Sequence, residues 1–188
     1  MDRRFLKTEK AIREAYFSLL LSGETKISVA EIARKADIDR KTFYLHYQSA
    51  DDIVVAYARE TLNELLNMLK KRGFYSEPYD LAVLFECLNE MMMKDVDLYR
   101  RLSRDHNYDF FWETIRAIVN ESVSDLYLRN LDRRNSKEIQ TYIDFYTSGI
   151  LAVYRRWLET GDGMSLDELG KYLSRISVTA IQIAMDKK

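Results

Sequence analysis

The chain has 188 residues, with 29 Lys and Arg against 30 Asp and Glu, and is 47% hydrophobic, 31% charged and 12% aromatic. That much apolar material excludes a disordered tail, and a lone cysteine, Cys87, excludes a disulfide framework or a Cys-based metal site within the chain. Six Gly and one Pro are too few for the turns of many short strands, so an all-α fold is expected.

The net charge of -1 averages two unlike parts. Residues 1–47 hold ten Lys and Arg against seven Asp and Glu, a net +3, and the remainder is net -4. A basic head fused to an acidic body points to a polyanionic partner for the head. The N-terminal residues lack the unbroken apolar stretch of a signal peptide, and no apolar run approaches the ~20 residues that span a bilayer. A cytoplasmic protein with no membrane partner is expected.

The head reads as three short helices. Phe5, Ile12, Ala15, Tyr16, Leu19 and Leu20 recur at helical steps up to Ser22-Gly23, where Gly can take the left-handed stop. Ser28-Val29-Ala30-Glu31 is an S-x-x-E capping box opening a second helix, with Val29, Ile32, Ala33 and Ala36 inward. After a turn at Asp37-Ile38, Asp39 is placed to cap a third helix over Arg40–Tyr47. Two short helices joined by a tight turn make a helix-turn-helix. A recognition helix needs donors on one side and apolar residues on the other. Arg40, Lys41 and Thr42 supply the donors; Phe43 and Tyr47 pack inward; Tyr44 and His46 offer a phenol and an imidazole to the DNA backbone.

The stretch from Ile27 to Ser49, above all Thr42-Phe43-Tyr44 followed by His46-Tyr47, resembles the DNA-binding signature of the tetracycline-repressor (TetR/AcrR) family. The resemblance implies a helix-turn-helix DNA-binding domain over 1–50, joined by a long helix to a helical ligand-sensing and dimerisation domain over 51–188. It implies that Ser28, Tyr44 and His46 grip phosphates while Arg40, Lys41 and Thr42 face the major groove, Arg40 or Lys41 reading a guanine. It also implies a homodimer on a palindromic double-stranded operator, more often a repressor than an activator. Two positions depart from the family pattern: Asp37 stands where a turn Gly is usual, and Ala50 where helix four usually begins with Lys.

Ser49-Ala50-Asp51-Asp52 starts a long helix through Ile53, Ala56, Tyr57, Leu62, Leu65, Leu66 and Leu69 to Gly73. Pro78 marks the next start, followed by a helix with Leu81, Leu84, Phe85, Leu88, Met91 and Met92, a shorter one over Val96–Arg104, and a long one from about Tyr108 to Arg129. Asn135-x-x-Glu138 and Ser165-x-x-Glu168 cap two last helices separated by Gly161-Asp162-Gly163. Their apolar residues either complete the protomer core or form the family's dimer interface. On the dimer reading the contacts are Tyr142, Tyr146, Ile150, Val153, Trp157, Leu169, Leu173, Ile176 and Ala180.

In mid-body, Met and aromatic residues at helical spacing suit a core as well as a pocket. On the pocket reading, Cys87, Met91, Met92, Tyr99, His106, Tyr108, Phe111 and Trp112 line a site for a small apolar or aromatic effector. With His46 and His106 the only histidines, no Gly-rich phosphate loop and no G-x-S-x-G elbow, no enzyme, metal or cofactor is expected. The alternative to an effector-released repressor is a regulator or activator controlled by a protein partner.

Overall fold

The computed structural model describes residues 3–75, 80–130, 136–161 and 163–185, with side chains described for all of these except 122–130, 136, 138, 139 and 180–185. Pro78 and Asn135, expected to mark helix starts, lie outside the described residues. The chain divides into two compact units, Met1–Ala58 and Arg59–Lys188. All regular structure among the described residues is helical.

The first unit contains α1 (Arg3–Leu21), α2 (Val29–Lys35), α3 (Arg40–Tyr44) and the first turns of α4 (Ala50–Lys71). The apolar stripe of α1 buries Ile12, Ala15, Tyr16 and Leu20. Ile32 and Ala33 from α2, Phe43 and Tyr47 from α3 and its exit, and Ile53, Val54 and Ala58 from α4 complete this core. The α3 helix is shorter than the expected Arg40–Tyr47 because its last turn tightens: the Leu45 and His46 N–H groups donate to Thr42 and Phe43, three residues back, at 3.2 and 2.9 Å. Tyr47 N–H still reaches Phe43 O at 3.0 Å, which keeps both aromatic rings inward.

Helix α2 ends in a Schellman motif. Ile38 N–H donates to Ala33 O at 3.0 Å and Asp37 N–H to Arg34 O at 3.3 Å, with Asp37 at φ 55°. Asp37 is the one non-glycine among the described residues in the left-handed region. Asp tolerates that region better than most residues, so the turn survives without the usual Gly.

The second unit continues α4 and adds α5 (Leu81–Lys94), α6 (Val96–Arg104), a 3-10 turn (His106–Tyr108), α7 (Asp109–Asn130), α8 (Ser136–Thr160) and α9 (Leu166–Met185). Helix α9 packs on α5, and α8 on α6 and α7. Asp80 caps α5 through Ala82 N–H at 2.9 Å. Leu62, Leu65 and Leu69 of α4 form a buried cluster with Cys87 and Met91 of α5, ringed by half-buried residues that include Ile118 and Val119 of α7.

One polar network ties α5, α8 and α9 together. The Tyr154 hydroxyl donates to Asn89 Oδ1 at 2.8 Å, and Asn89 Nδ2 donates to Leu166 O at 2.7 Å. Burial pushes the Tyr154 phenol pKa far up, so it stays a proton donor. A Cβ on Gly170 would lie 2.7 Å from Asn89 Nδ2, which accounts for a glycine inside α9. Trp157 Nε1 donates to Met164 O at 2.6 Å across the α8–α9 loop. Among the described residues no helix is long and apolar enough to cross a membrane.

Candidate nucleic-acid interface

The capping box of α2 is complete. Glu31 N–H donates to Ser28 Oγ at 3.3 Å, while the Glu31 carboxylate accepts from Ser28 N–H at 2.9 Å and from its hydroxyl at 2.6 Å. Hydrogen bonds from the Ser28 hydroxyl and backbone hold the Glu31 carboxyl below its ordinary pKa. The Ser28 hydroxyl proton is therefore engaged, and a phosphate reaching Ser28 must compete with Glu31.

At α3, Asp39 accepts from the Thr42 N–H at 2.7 Å and from its hydroxyl at 3.1 Å. These bonds, the backbone one first, lower the Asp39 pKa. Thr42 is half-buried, and with its hydroxyl proton turned to Asp39 it is not a free donor. Arg40 and Lys41 are exposed, and Tyr44 is 57% exposed while its neighbour Phe43 is fully buried. Leu45, absent from the expected contacts, is 69% exposed. Its signal was available in the helical period, because it lies two residues from Phe43 and two from Tyr47, opposite both.

His46 is half-buried, its ring 4.0 Å from that of Phe5 between centroids. Its Nδ1 is a buried atom without a hydrogen-bond partner among the described residues. The Phe5 contact ties the start of α1 to the exit of α3. Tyr47 donates its hydroxyl to Glu9 of α1 at 3.4 Å. The structure thus gathers Arg40, Lys41, Thr42 and Tyr44 on one short helix with His46 at its exit, and sets Ser28 at the start of the preceding helix.

In the second unit, the residues expected around a pocket are spread over α5, α6, the 3-10 turn and α7. Cys87 and Met91 pack against the leucines of α4. Tyr99, Phe111 and Trp112 are buried around α6 and α7, with Phe111 edge-on to Trp112 at 5.1 Å. Tyr108 and Met92 are buried too, whereas the His106 side chain is 92% exposed with Nδ1 3.3 Å from Asp109. The Trp112 indole N–H is buried without a partner among the described residues. Of the residues expected at a dimer interface, Trp157, Leu169 and Leu173 are buried within the protomer. Tyr146, Ile150 and Val153 are half-buried, Tyr142 and Ile176 are exposed, and the Ala180 side chain lies outside those described. Phe145, 75% exposed, and Tyr172 are further apolar residues presented outward by α8 and α9.

A capped, basic helix-turn-helix ahead of an all-helical unit defines a DNA-binding transcriptional regulator. The family model for the transcriptional regulator C-terminal region of the TetR type matches residues 81–178, more than half of the chain. The chain belongs to the TetR family of transcriptional regulators. It is 30% identical over 134 residues to YvdT, an uncharacterised HTH-type transcriptional regulator of Bacillus subtilis, covering 63% of this chain and 68% of that one. It is 25% identical over 191 residues to DhaS, the dhaKLM operon transcriptional activator of Lactococcus lactis, covering 96% and 94%. The match to YxbF of B. subtilis spans only 26% of that protein. The fold is similar to that of the Thermus thermophilus repressor FadR, solved with lauroyl-CoA, at a TM-score of 0.57 and 19% identity over 89% of this chain and 92% of that one.

Proposed function

We propose that this regulator binds a palindromic operator as a homodimer, with 1–50 as the DNA-binding domain and 51–188 as the sensing and dimerisation domain. The observation that carries the reading is the division of α3 into two faces. Phe43 and Tyr47 anchor the helix to the first unit's core, while Arg40, Lys41 and Tyr44 remain exposed. In this reading Tyr44, His46 and Ser28 contact phosphates, and Arg40 or Lys41 reads a base edge. One head covers few base pairs; two heads related by a two-fold axis meet successive major grooves ~34 Å apart.

The exposed apolar side chains Tyr142, Phe145, Tyr172 and Ile176 support dimerisation through α8 and α9. Gly149 also supports it. Beyond its own stretch of helix, no described atom lies within 4 Å of the position its Cβ would take, so a partner helix could approach closely there.

The regulator acts in this reading as a repressor released by a small apolar or aromatic effector; FadR, similar in fold, is a repressor solved in complex with lauroyl-CoA. In a second reading the protein is an activator controlled by a protein partner; the near full-length alignment with the activator DhaS supports its activator part. The test begins with operators selected from random DNA. Replacing Arg40 and Tyr44 together by Ala should abolish specific retardation on them at physiological salt; unchanged retardation overturns the assignment. Transcription in vitro from a promoter carrying the operator then separates repression from activation. Loss of binding with a small-molecule effector, by a coupling of about 1–3 kcal/mol, separates effector release from partner control.

A further inference from the structure

We infer that Leu45 is a specificity residue that reads the 5-methyl group of a thymine in each operator half-site. The inference rests on the operator-binding reading above and deepens it.

Leu45 is the C-cap of α3 with helical dihedrals, φ -75° and ψ -18°. At about 100° per residue, it lies about 180° from the direction midway between Phe43 and Tyr47. Those two side chains are buried, so Leu45 points most directly away from the first unit's core and is 69% exposed. Lys41, one turn earlier, shares that outward face. Tyr44 and half-buried Thr42 flank it. When α3 enters a major groove, a side chain with this direction meets base edges rather than the phosphate rims.

A leucine has neither donor nor acceptor, so it cannot distinguish bases by hydrogen bonding. The one apolar group that a base pair presents in the major groove is the thymine methyl. A single branched aliphatic side chain, set among Lys41, Thr42 and Tyr44, matches one methyl group in a polar groove. It is too small and too polar in its surroundings to seat a protein helix, which needs a contiguous apolar patch. Thr42 does not offset this match, since its hydroxyl proton is already given to Asp39.

The test uses the full-length protein and its selected operator, with each thymine of a half-site replaced in turn by deoxyuridine, which removes only the methyl group. Losing one buried methyl corresponds to about fourfold weaker binding. At one thymine position wild-type protein should lose about fourfold per half-site, and Leu45→Ala should lose less than about twofold from the same replacement. Leu45→Ala should itself bind the thymine operator more weakly with an unchanged salt slope, which separates a methyl contact from a phosphate contact. Circular dichroism confirms that this exposed substitution leaves the fold intact. Wild-type binding that is indifferent to every deoxyuridine, or a loss that persists undiminished in Leu45→Ala, overturns the inference while leaving operator binding standing. Failure of the wild-type protein to select any DNA overturns both.

Discussion

The Asp39 carboxylate accepts two hydrogen bonds from Thr42, one from the backbone N–H at 2.7 Å and one from the hydroxyl at 3.1 Å. These bonds start α3 and hold the Asp39 carboxyl below its ordinary pKa. Glu31 is lowered in the same way by Ser28 at the start of α2. A carboxyl whose folded pKa is depressed contributes stability that is present above its unfolded value, about 4, and lost as pH falls through the folded value. Asn caps as well as Asp but does not titrate. Asp39→Asn should therefore melt like wild type near neutrality and show a flatter decline in acid. Thermal melts across this range provide the check; superimposable acid limbs would count against the coupling.

Asp37 holds the helix-turn-helix together at φ 55°. Gly and Asn reach this region easily, whereas a β-branched residue is strained there. Asp37→Gly and Asp37→Asn should leave stability within about 0.5 kcal/mol, while Asp37→Val should cost about 1–3 kcal/mol. Denaturant titrations of the three variants decide this. Equal midpoints for Val and Asn would show that the turn relaxes away from its left-handed geometry.

The elements legible in the sequence were those whose cause is local. The Ser28/Glu31, Ser49/Asp52 and Ser165/Glu168 pairs each form the reciprocal bonds that their spacing announced. Much of the inward set of the first unit was readable because one face of each short helix is apolar, although Phe5 at the start of the α1 stripe is 39% exposed and Val29 and Ala36 are only half-buried. The second unit was harder. Helices α8 and α9 carry apolar residues on more than one face, so periodicity could not say which face a neighbour covers. Packing on α5, α6 and α7 buries Trp157, Leu169 and Leu173 and leaves Phe145 and Tyr172 outside. The 3-10 turn at His106–Tyr108, capped by Asp105 through Asn107 N–H at 3.1 Å, likewise has a short signal inside what reads as a helix start.

Two glycines inside helices should respond with opposite sign to the same substitution. Gly149 faces open space, so Gly149→Ala should raise protomer stability by up to about 1 kcal/mol through helix propensity. Gly170→Ala places a Cβ 2.7 Å from Asn89 Nδ2. Asn89 cannot yield without loosening its bonds to Leu166 and Tyr154, at a cost of about 1–3 kcal/mol for groups left buried and unpaired. Urea melts of the two variants test the contrast. If Gly170→Ala proves neutral, the network repacks more freely than its distances imply.

The dimer reading makes Phe145 decisive, because at 75% exposure it is the most exposed large apolar side chain of α8 and α9 among the described residues. Phe145→Glu should leave the melting temperature of dilute protein little changed and weaken self-association at least tenfold, about 1.4 kcal/mol. Sedimentation velocity across a concentration series reads this directly. An unaltered dimer with Phe145→Glu would move the interface off this face.

Ala50 offers a test of how the head holds DNA without invoking any base. It is the first residue of α4, at the position where the resembling signature carries Lys. A lysine there adds one phosphate contact per protomer if the head docks as proposed. Each such contact releases counterions and steepens the dependence of log K on log salt by about 0.9 for duplex DNA. A dimer of Ala50→Lys should therefore show a slope steeper by roughly 1.8, and tighter non-specific binding at low salt. The helix dipole at the start of α4 disfavours a cation, so the gain appears only when DNA is present to offset it. A slope equal to that of wild type would place the start of α4 away from the DNA backbone and require a different docking of α3.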